Sequence, residues 1–333
     1  MKRIKLILTG GTIGSRIDAD GNISPSALPL LLTHCGKSVE NIAEFDVLEP
    51  LSVLSENMTM ADREVLINEI LKTDTSMLDG IIIAHGSDTL CYTAALVSMA
   101  ARHIDIPIVF IASDKVLSDP DSNGPDNFLS AVTIIADGTL KRGCFICYKD
   151  INGQNSVYLG TRLCSAEPIF DSFAPFDKAR LGYAENGRFV FEEGCFNPSL
   201  SEINSARSPI VSDEIKLYDT VLMTSSSPAF DITRVNTDGL SAVINYGYHC
   251  GTTDEERMLR FANRCESEGI TLYLASFKDE NAPVYESLKE ILQFSNVKRL
   301  YNISPESAYA KAVLAASLGD ELLSQNLFFE KIY

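Results

Sequence analysis

Short apolar runs alternate along the chain with longer stretches in which apolar residues recur every three or four positions. The short runs have the length of β-strands, and stretches such as 60–73 and 93–104 have the period of amphipathic helices. The predicted strands are 4–8, 80–84, 106–112, 143–148, 220–224, 242–245 and 271–276. Because these strands are almost wholly apolar and alternate with helices, we expect parallel sheets covered by helices on both faces.

A change of composition divides this pattern in two. The segment 192–212 is rich in Ser, Asn and Pro and has no strong period, which is typical of a linker. Strands and helices alternate again after it. The sequence therefore predicts an α/β fold with two α/β domains and mainly parallel sheets, the first over 1–191 and the second over 213–333.

The charge balance narrows the class of partner. Of the 333 residues, 45% are hydrophobic and 22% are charged, and the formal net charge is −17. A nucleic-acid surface needs clustered Lys and Arg, so we predict no nucleic-acid partner and expect a small-molecule ligand or a protein partner.

No apolar stretch reaches the roughly 18 residues of a membrane span, and the run at 4–8 is too short for a signal peptide. We expect a cytoplasmic protein with no membrane partner.

The eight cysteines are scattered along the chain. In a reducing compartment most of them are expected to be free thiols. Cys144 and Cys147 have the spacing of redox and zinc motifs, but they lie inside the apolar run RGCFICY and no second ligand pair accompanies them. We interpret them as core thiols of a strand, and we predict neither a metal site nor a cofactor.

Two predicted strands end in residues whose side chains can bind a ligand or take part in catalysis. The first strand runs into TGGT at 9–12, where the two glycines allow a sharp turn and a close approach by another group. The strand 80–84 runs into HGSDT at 85–89, just before a helix that is predicted to begin near Leu90. Ligands of parallel α/β sheets bind at the carboxyl ends of strands, so these two segments are the candidate site.

Structural roles explain some of these residues equally well. Asp88 or Thr89 has the chemistry of a helix N-cap, which accepts a hydrogen bond from the first turn. His85 has the chemistry of a core histidine with its hydrogen bonds satisfied. The occurrence of hydroxyl-bearing residues at two strand ends favours a ligand site over these explanations.

Three motifs in a fixed order carry a resemblance to a known family. They are TGGTI at 9–13, LSENMT at 54–59 and HGSDTLCYTA at 85–94, and the segments 118–132 and 303–315 add to them. Together they resemble the bacterial-type L-asparaginases and glutaminases, and the asparaginase-like subunit of a tRNA-dependent amidotransferase. The resemblance covers most of the chain and implies an asparaginase-like fold.

The resemblance also implies a set of roles in amide hydrolysis, which needs a nucleophile, a base and donors for the oxyanion. By resemblance Thr12 is the nucleophile, and Ser87 stands where the family has a second threonine that works with Asp88 and a distant lysine. Ser55 and Glu56 correspond to the substrate-binding loop.

Ser55 is expected to bind the carboxylate of an amino acid, and Glu56 its ammonium group together with Asp88. Gly11 and Gly86 are expected to line the same substrate. An ordinary surface carboxylate remains the alternative for Glu56.

The family's lysine has no obvious counterpart. In the alignment set by IFDSF at 169–173, the lysine position falls at Cys164. Arg162 lies close by, but a guanidinium stays protonated and cannot act as a general base. Lys149 or Lys178 can substitute only if the fold brings one of them to the site.

Two further positions depart from the family. The first loop, 15–24, lacks the family's tyrosine and has Asp18 and Asn22 in that region. Cys250 stands where a neighbouring subunit usually contributes an asparagine, and 276–292 replaces a glycine-rich segment. We therefore expect slow turnover of L-asparagine.

Three hypotheses follow for the function. The first is an asparaginase-like amidohydrolase that cleaves the side-chain amide of asparagine or a related amide and releases ammonia. The second is a degenerate member of the family that binds an amino acid or a protein partner with little catalysis. The third is an ammonia-supplying amidotransferase subunit. By resemblance the chain forms a homodimer or homotetramer.

Overall fold

The computed structural model describes residues 1–18, 20–25, 30–101, 103–167, 169–170, 172–194, 196–207, 209–210 and 212–332. The chain divides into two compact units, Met1–Lys216 and Leu217–Tyr333. Each unit combines helices with a sheet that is parallel in whole or in large part, so the predicted α/β fold class is confirmed.

The first unit alternates strands with helices over most of its length. Its strands are β1 (Lys2–Leu8), β2 (Ser15–Ile17), β3 (Ile23–Pro25), β4 (Ala43–Leu48), β5 (Gly80–Ala84), β6 (Pro107–Ile111), β7 (Gly143–Lys149), β8 (Asn155–Leu159), β9 (Leu163–Cys164), β10 (Ala174–Pro175), β11 (Gly182–Glu185) and β12 (Arg188–Phe191). Its helices are α1 (Leu30–Val39), α2 (Met60–Leu71), α3 (Leu90–Ala100), α4 (Gly124–Asp137) and α5 (Leu200–Ser205).

Eight of these strands form one sheet in the order β12-β11-β8-β7-β6-β5-β1-β4. The strands from β4 to β7 pair in parallel, and β8, β11 and β12 extend the sheet with antiparallel pairs. The chain places β4 on one side of β1 and β5 on the other, so the strand order reverses at β1. Ligand sites of doubly wound sheets lie at such a reversal, beyond the carboxyl ends of the strands.

Burial explains why the sequence of this sheet reads as continuous apolar runs. Every residue of β5 and of β6 is buried, as is typical of central strands in a parallel sheet. The neighbouring α2 begins where the Thr59 side chain and Asp62 form a reciprocal capping box. The centre of the sheet is thus a rigid base for the loops at its carboxyl edge.

The second unit has a four-stranded parallel sheet in the order β13-β14-β15-β16. Its strands are β13 (Val221–Ser225), β14 (Ala242–Tyr246), β15 (Thr271–Phe277) and β16 (Val297–Tyr301), and its helices are α6 (Glu255–Ser267), α7 (Glu286–Lys289) and α8 (Pro305–Leu318). Phe261 of α6 and Leu272 of β15 are among the residues of its apolar core. Lys311 of α8 pairs with Glu330 in the interior, and both side chains are fully buried.

The segment 192–212, which the sequence predicts to be a linker, lies inside the first unit and contains α5. A capping box between Ser199 and Glu202 begins this helix, and the Asn204 side chain accepts a hydrogen bond from the Lys141 N–H at 2.9 Å. The boundary between the units follows residue 216. Cys195, Ser208 and Val211 of the segment lie outside the described residues.

The helices of the described residues are all too short or too polar to cross a membrane.

Candidate active site at the carboxyl ends of β1 and β5

Three chain segments meet at the carboxyl ends of β1 and β5, and glycines permit their close approach. A Cβ added to Gly11 would lie 2.4 Å from the Cα of Gly86, and one added to Gly86 would lie 2.5 Å from Ser55 Oγ. Gly10 and Gly11 have φ angles of 102° and 74°, which favour glycine. The structure therefore brings together the segments of all three sequence motifs.

Backbone hydrogen bonds fix the first of these segments. The N–H and the hydroxyl of Thr9 both donate to the carbonyl of Ala84, at 3.1 and 3.0 Å. On the other side, the N–H of Val53 donates to the carbonyl of Thr9, and the N–H of Gly11 donates to the carbonyl of Val53, both at 3.0 Å. The turn is thus held from both neighbouring segments before any ligand binds.

Thr12 follows this turn and begins a short 3-10 helix, Thr12–Gly14. Its side chain is half-buried, and no group of the described residues hydrogen-bonds its hydroxyl. The next hydroxyl along the chain, that of Ser15, is buried and donates to the Gly11 carbonyl at 2.7 Å. Of these two hydroxyls, the structure leaves that of Thr12 open to a ligand.

Two carboxylates lie beside the same turn. Asp88 and Glu56 are exposed, and Ser55, which is buried, directs its hydroxyl to Asp88 at 3.4 Å. Neither carboxylate has an ion-pair partner within the described ranges. The half-buried Ser87 stands between Gly86 and Asp88, and its hydroxyl likewise has no hydrogen bond to a described residue. The site therefore presents hydroxyls and two carboxylates that no described cation neutralises by an ion pair.

The N-cap explanation fails for Asp88 and Thr89. Thr89 has the N-cap position of α3, but its side chain makes no capping hydrogen bond. The hydroxyl of Thr89 donates instead to the carbonyl of Ser55 at 2.9 Å. The carboxylate of Asp88 accepts from Ser55 rather than from the helix.

His85 is fully buried at the end of β5, as a core histidine would be, but only one ring nitrogen is satisfied. Its Nδ1 lies 2.8 Å from the carbonyl oxygen of Gly86, and its Nε2 is buried with no hydrogen-bond partner. Burial, helped by the charge of the nearby Arg63, lowers the pKa of His85 to about 4, although the hydrogen bond with the Gly86 carbonyl acts in the opposite direction. His85 is therefore neutral at pH 7.

Arg63 is a residue of this region that the sequence analysis overlooked. It is buried, and its Nη1 donates to the carbonyls of Met58 and Thr59 at 2.6 and 3.2 Å. It thereby ties α2 to the end of the 3-10 turn Ser55–Asn57. A clue was present in the sequence, because an arginine at 63 falls on the apolar face that Met60 and Ile67 define at helical spacing.

Two of the cations considered for the family's lysine position are ion-paired with other residues. Arg162 is buried and pairs with the buried Asp177 at 3.0 Å. Lys149 pairs with Asp126 at 2.7 Å. Lys178 lines a separate cavity of about 490 Å³. Cys164 itself is half-buried in β9.

The first loop is a β-hairpin formed by β2 and β3. Asp18 closes its turn by accepting hydrogen bonds from the N–H groups of Asp20 and Asn22, both at 2.9 Å. The hydrogen bond from Asn22 lowers the pKa of Asp18.

In the second unit, the half-buried Cys250 raises the pKa of the exposed Tyr285 through a hydrogen bond.

Cys144 and Cys147 are buried free thiols of β7, as predicted. Burial raises the pKa of both thiols to about 12, so neither is a nucleophile at neutral pH. Across the described part of the chain, no three His, Cys, Asp or Glu side chains are grouped so that they could hold a metal ion.

Comparison with known proteins identifies the family of the chain. The family model "Asparaginase, N-terminal" matches residues 3–194, which is more than half of the chain. The chain belongs to the asparaginase family. The match includes all three motifs that meet at the carboxyl ends of β1 and β5.

Curated relatives in this family include a glutamyl-tRNA(Gln) amidotransferase subunit of Thermoplasma volcanium, which is 32% identical over 136 residues. That match covers 40% of this chain and 33% of the relative. The protein of the same name from Saccharolobus islandicus is 33% identical over 131 residues, covering 39% of this chain and 29% of the relative. The matched part thus spans about a third of the length of these relatives.

Solved L-asparaginases share the fold over nearly the whole chain. The thermostable L-asparaginase from Thermococcus kodakarensis has a TM-score of 0.78 at 19% identity, with 99% of each chain covered. The probable cytoplasmic L-asparaginase from Campylobacter jejuni has a TM-score of 0.76 at 18% identity, covering 99% of this chain and 100% of the other. At these identities the similarity establishes the asparaginase fold.

Proposed function

We propose that this member of the asparaginase family hydrolyses the side-chain amide of L-asparagine or of a closely related amino acid, with Thr12 as the nucleophile. The observation that carries the proposal is the open hydroxyl of Thr12 beside the contact of Gly11 with Gly86 and of Gly86 with Ser55. A hydroxyl, two carboxylates and a rigid turn are the parts that amide hydrolysis of an amino acid needs.

The first chemical step is attack of Thr12 Oγ1 on the amide carbonyl carbon. The Ser87 hydroxyl and the Asp88 carboxylate, which are neighbours in the chain, take up the proton of the hydroxyl and return it to the departing nitrogen, which leaves as ammonia. Water cleaves the acyl-threonine ester and restores the hydroxyl. The N–H groups at the start of the 3-10 helix Thr12–Gly14 have no partner within that helix and are suited to bind the developing oxyanion.

Substrate recognition follows from the charges at the site. Asp88 and Glu56 attract the ammonium group of an amino acid, and the Ser55 hydroxyl turns from Asp88 to donate to its carboxylate. Charge-assisted hydrogen bonds of this kind contribute about 1.5–3 kcal/mol each. Because no lysine of the described residues pairs with Asp88, we expect the proton-transfer steps with L-asparagine to be slow compared with those of an asparaginase that has the lysine.

A coupled assay of ammonia release tests the proposal. The substrates are L-asparagine, L-glutamine, β-aspartyl peptides and N-substituted asparagines, and binding of L-aspartate is measured in parallel by the shift in melting temperature. Ammonia release from one of these amides supports hydrolysis. A melting temperature raised by L-aspartate without any ammonia release supports instead a family member that binds an amino acid and catalyses little.

A second candidate function is favoured by the names of the curated relatives. Because they are called amidotransferase subunits, we also propose that this chain supplies ammonia to a partner enzyme. Co-purification of a stoichiometric partner that raises the rate of ammonia release would support this function over free hydrolysis.

We further propose that the chain assembles into a homodimer or homotetramer, as its resemblance to asparaginases implies. Light scattering of the purified protein measures the mass directly, and a monomer at micromolar concentration would contradict this proposal.

A further inference from the structure

The hydroxyl of Thr89 makes an unexpected contact for a residue at a helix N-cap. Threonine in this position ordinarily accepts a hydrogen bond from the first turn of its own helix. Here no such bond is present, and Thr89 Oγ1 donates to the carbonyl of Ser55 at 2.9 Å. The bond links the start of α3 to a segment 34 residues earlier in the chain.

We propose that Thr89 is a positioning residue that sets the spacing between the Ser55–Glu56 side of the site and Asp88. Asp88 precedes Thr89 directly, and its carboxylate lies 3.4 Å from Ser55 Oγ. A bond from Thr89 to the Ser55 carbonyl therefore couples the two groups that the proposed function assigns to one amino-acid ligand. The expected change in ligand binding rests on that proposed function. The expected displacement of the segment that contains Ser55 does not.

Other contacts hold the opposite end of the same turn. Arg63 donates to the carbonyls of Met58 and Thr59, and the hydroxyl of Thr93 lies 3.8 Å from the Met58 sulfur. These contacts fix the junction with α2 independently of Thr89. Loss of the Thr89 hydroxyl should therefore displace the near end of the turn, at Ser55, without unfolding it.

The test compares Thr89→Val, which keeps the shape and removes the donor, with Thr89→Ser, which keeps the hydroxyl. Ser98→Ala is the matched control, because Ser98 lies in the same helix and its hydroxyl donates to the Ala94 carbonyl of that helix. The measurements are kcat and KM for L-asparagine, the Kd of L-aspartate by calorimetry, and hydrogen–deuterium exchange of residues 53–59.

For Thr89→Val we expect KM and Kd to rise about three- to tenfold, as the loss of one neutral hydrogen bond implies, while kcat changes by less than about twofold. Exchange at 53–59 should become faster in this variant. Thr89→Ser and Ser98→Ala should both remain within about twofold of the wild type. A general loss of folding would lower the active fraction and hence the apparent kcat, whereas a displaced binding segment changes KM and Kd.

Three outcomes would overturn the inference: unchanged KM and Kd in Thr89→Val, equal impairment in Thr89→Ser, or unchanged exchange at 53–59 in Thr89→Val. A wild type that neither releases ammonia nor binds L-aspartate overturns the proposed function, and the exchange measurement then decides the positioning role by itself.

Discussion

Both units contain parallel strands, and the carboxyl ends of these strands differ in how their polar side chains are used. At the edge of β1 and β5, the hydroxyl of Thr12 has no hydrogen bond from the described residues, and Asp88 is exposed with no ion-pair partner among them. At the edge of β13 and β14, Asn245 is buried and donates to the Ser226 hydroxyl at 2.9 Å. The Thr224 hydroxyl lies 3.2 Å from the Asn245 carbonyl oxygen.

This contrast separates groups that stabilise the fold from groups that remain available to a ligand. A buried polar group that is hydrogen-bonded within the protein contributes to stability, and its loss leaves a partner unsatisfied. An open hydroxyl on a rigid turn contributes little to folding but can react. Substitutions at the first edge should therefore change activity, and substitutions at the second should change stability.

The largest expected effect is that of Thr12→Ala. Removal of the proposed nucleophile should lower kcat for ammonia release by about 10³-fold or more. The melting temperature should stay close to that of the wild type, because the hydroxyl has no hydrogen bond to lose in the described structure. The assay and a thermal melt on the same preparation check both statements, and a Thr12→Ala protein with near-normal activity would refute the assignment.

His85 lies at the first edge but is buried, so we expect its titration to change the stability of the fold rather than the activity. Its folded-state pKa of about 4 lies below the ordinary value of 6.5, so the unfolded chain binds more protons between these values. Stability should therefore fall as the pH drops from about 6.5 to about 4, by about 3 kcal/mol from this group.

Urea denaturation at several pH values measures this loss. His85→Asn keeps a donor near the Gly86 carbonyl and cannot titrate, so its stability should decline less over the same pH range. An equal decline in both proteins would mean that other groups cause the acid sensitivity.

An intermediate effect is expected for Asp88→Asn. Loss of the negative charge should raise KM for an α-amino substrate and lower kcat, so that kcat/KM falls about 10- to 100-fold. Because Asp88 makes no capping bond to α3, the melting temperature should change little. Steady-state kinetics and a thermal melt decide the matter, and a variant that loses only stability would favour a structural role for this carboxylate.

The smallest effect is expected at the second edge, from Asn245→Ala. This substitution removes the hydrogen bonds with Ser226 and Thr224 inside the unit, and it should destabilise that unit by about 2 kcal/mol. Ammonia release well below the melting temperature should remain within about twofold of the wild type. A large loss of activity with unchanged stability would show that the second edge also takes part in the reaction.

The alternation of apolar runs and helical periods was sufficient to predict the central strands. Gly80–Ala84 has the predicted bounds, and Pro107–Ile111 lies within the predicted 106–112. The edge strand Ala43–Leu48 was missed because its exposed positions carry charged residues and break the apolar run. The hairpin of β2 and β3 was missed because its strands are three residues long and its stability depends on the turn at Asp18.

The residues of the candidate site were likewise predicted only in part from the sequence. Two short motifs at strand ends identified Thr12, Ser87 and Asp88 as candidates, and the resemblance to asparaginases supplied their expected roles. Their roles remain predictions. The sequence also suggested an N-cap role for Asp88 or Thr89, and hydrogen-bond geometry alone showed that neither side chain caps the helix.

The sequence by itself determined the α/β class, the apolar interior strands and the chemical types available at two strand ends, since all three depend on local pattern. Only the tertiary structure decided which polar groups pair with one another and which remain open to a ligand. Arg162 pairs with Asp177 and Lys149 with Asp126, so both of these cations are neutralised by partners that are distant from them in the chain. A side chain's availability depends on neighbours that are distant in the chain, and it is the folded arrangement of strands that brings those neighbours together.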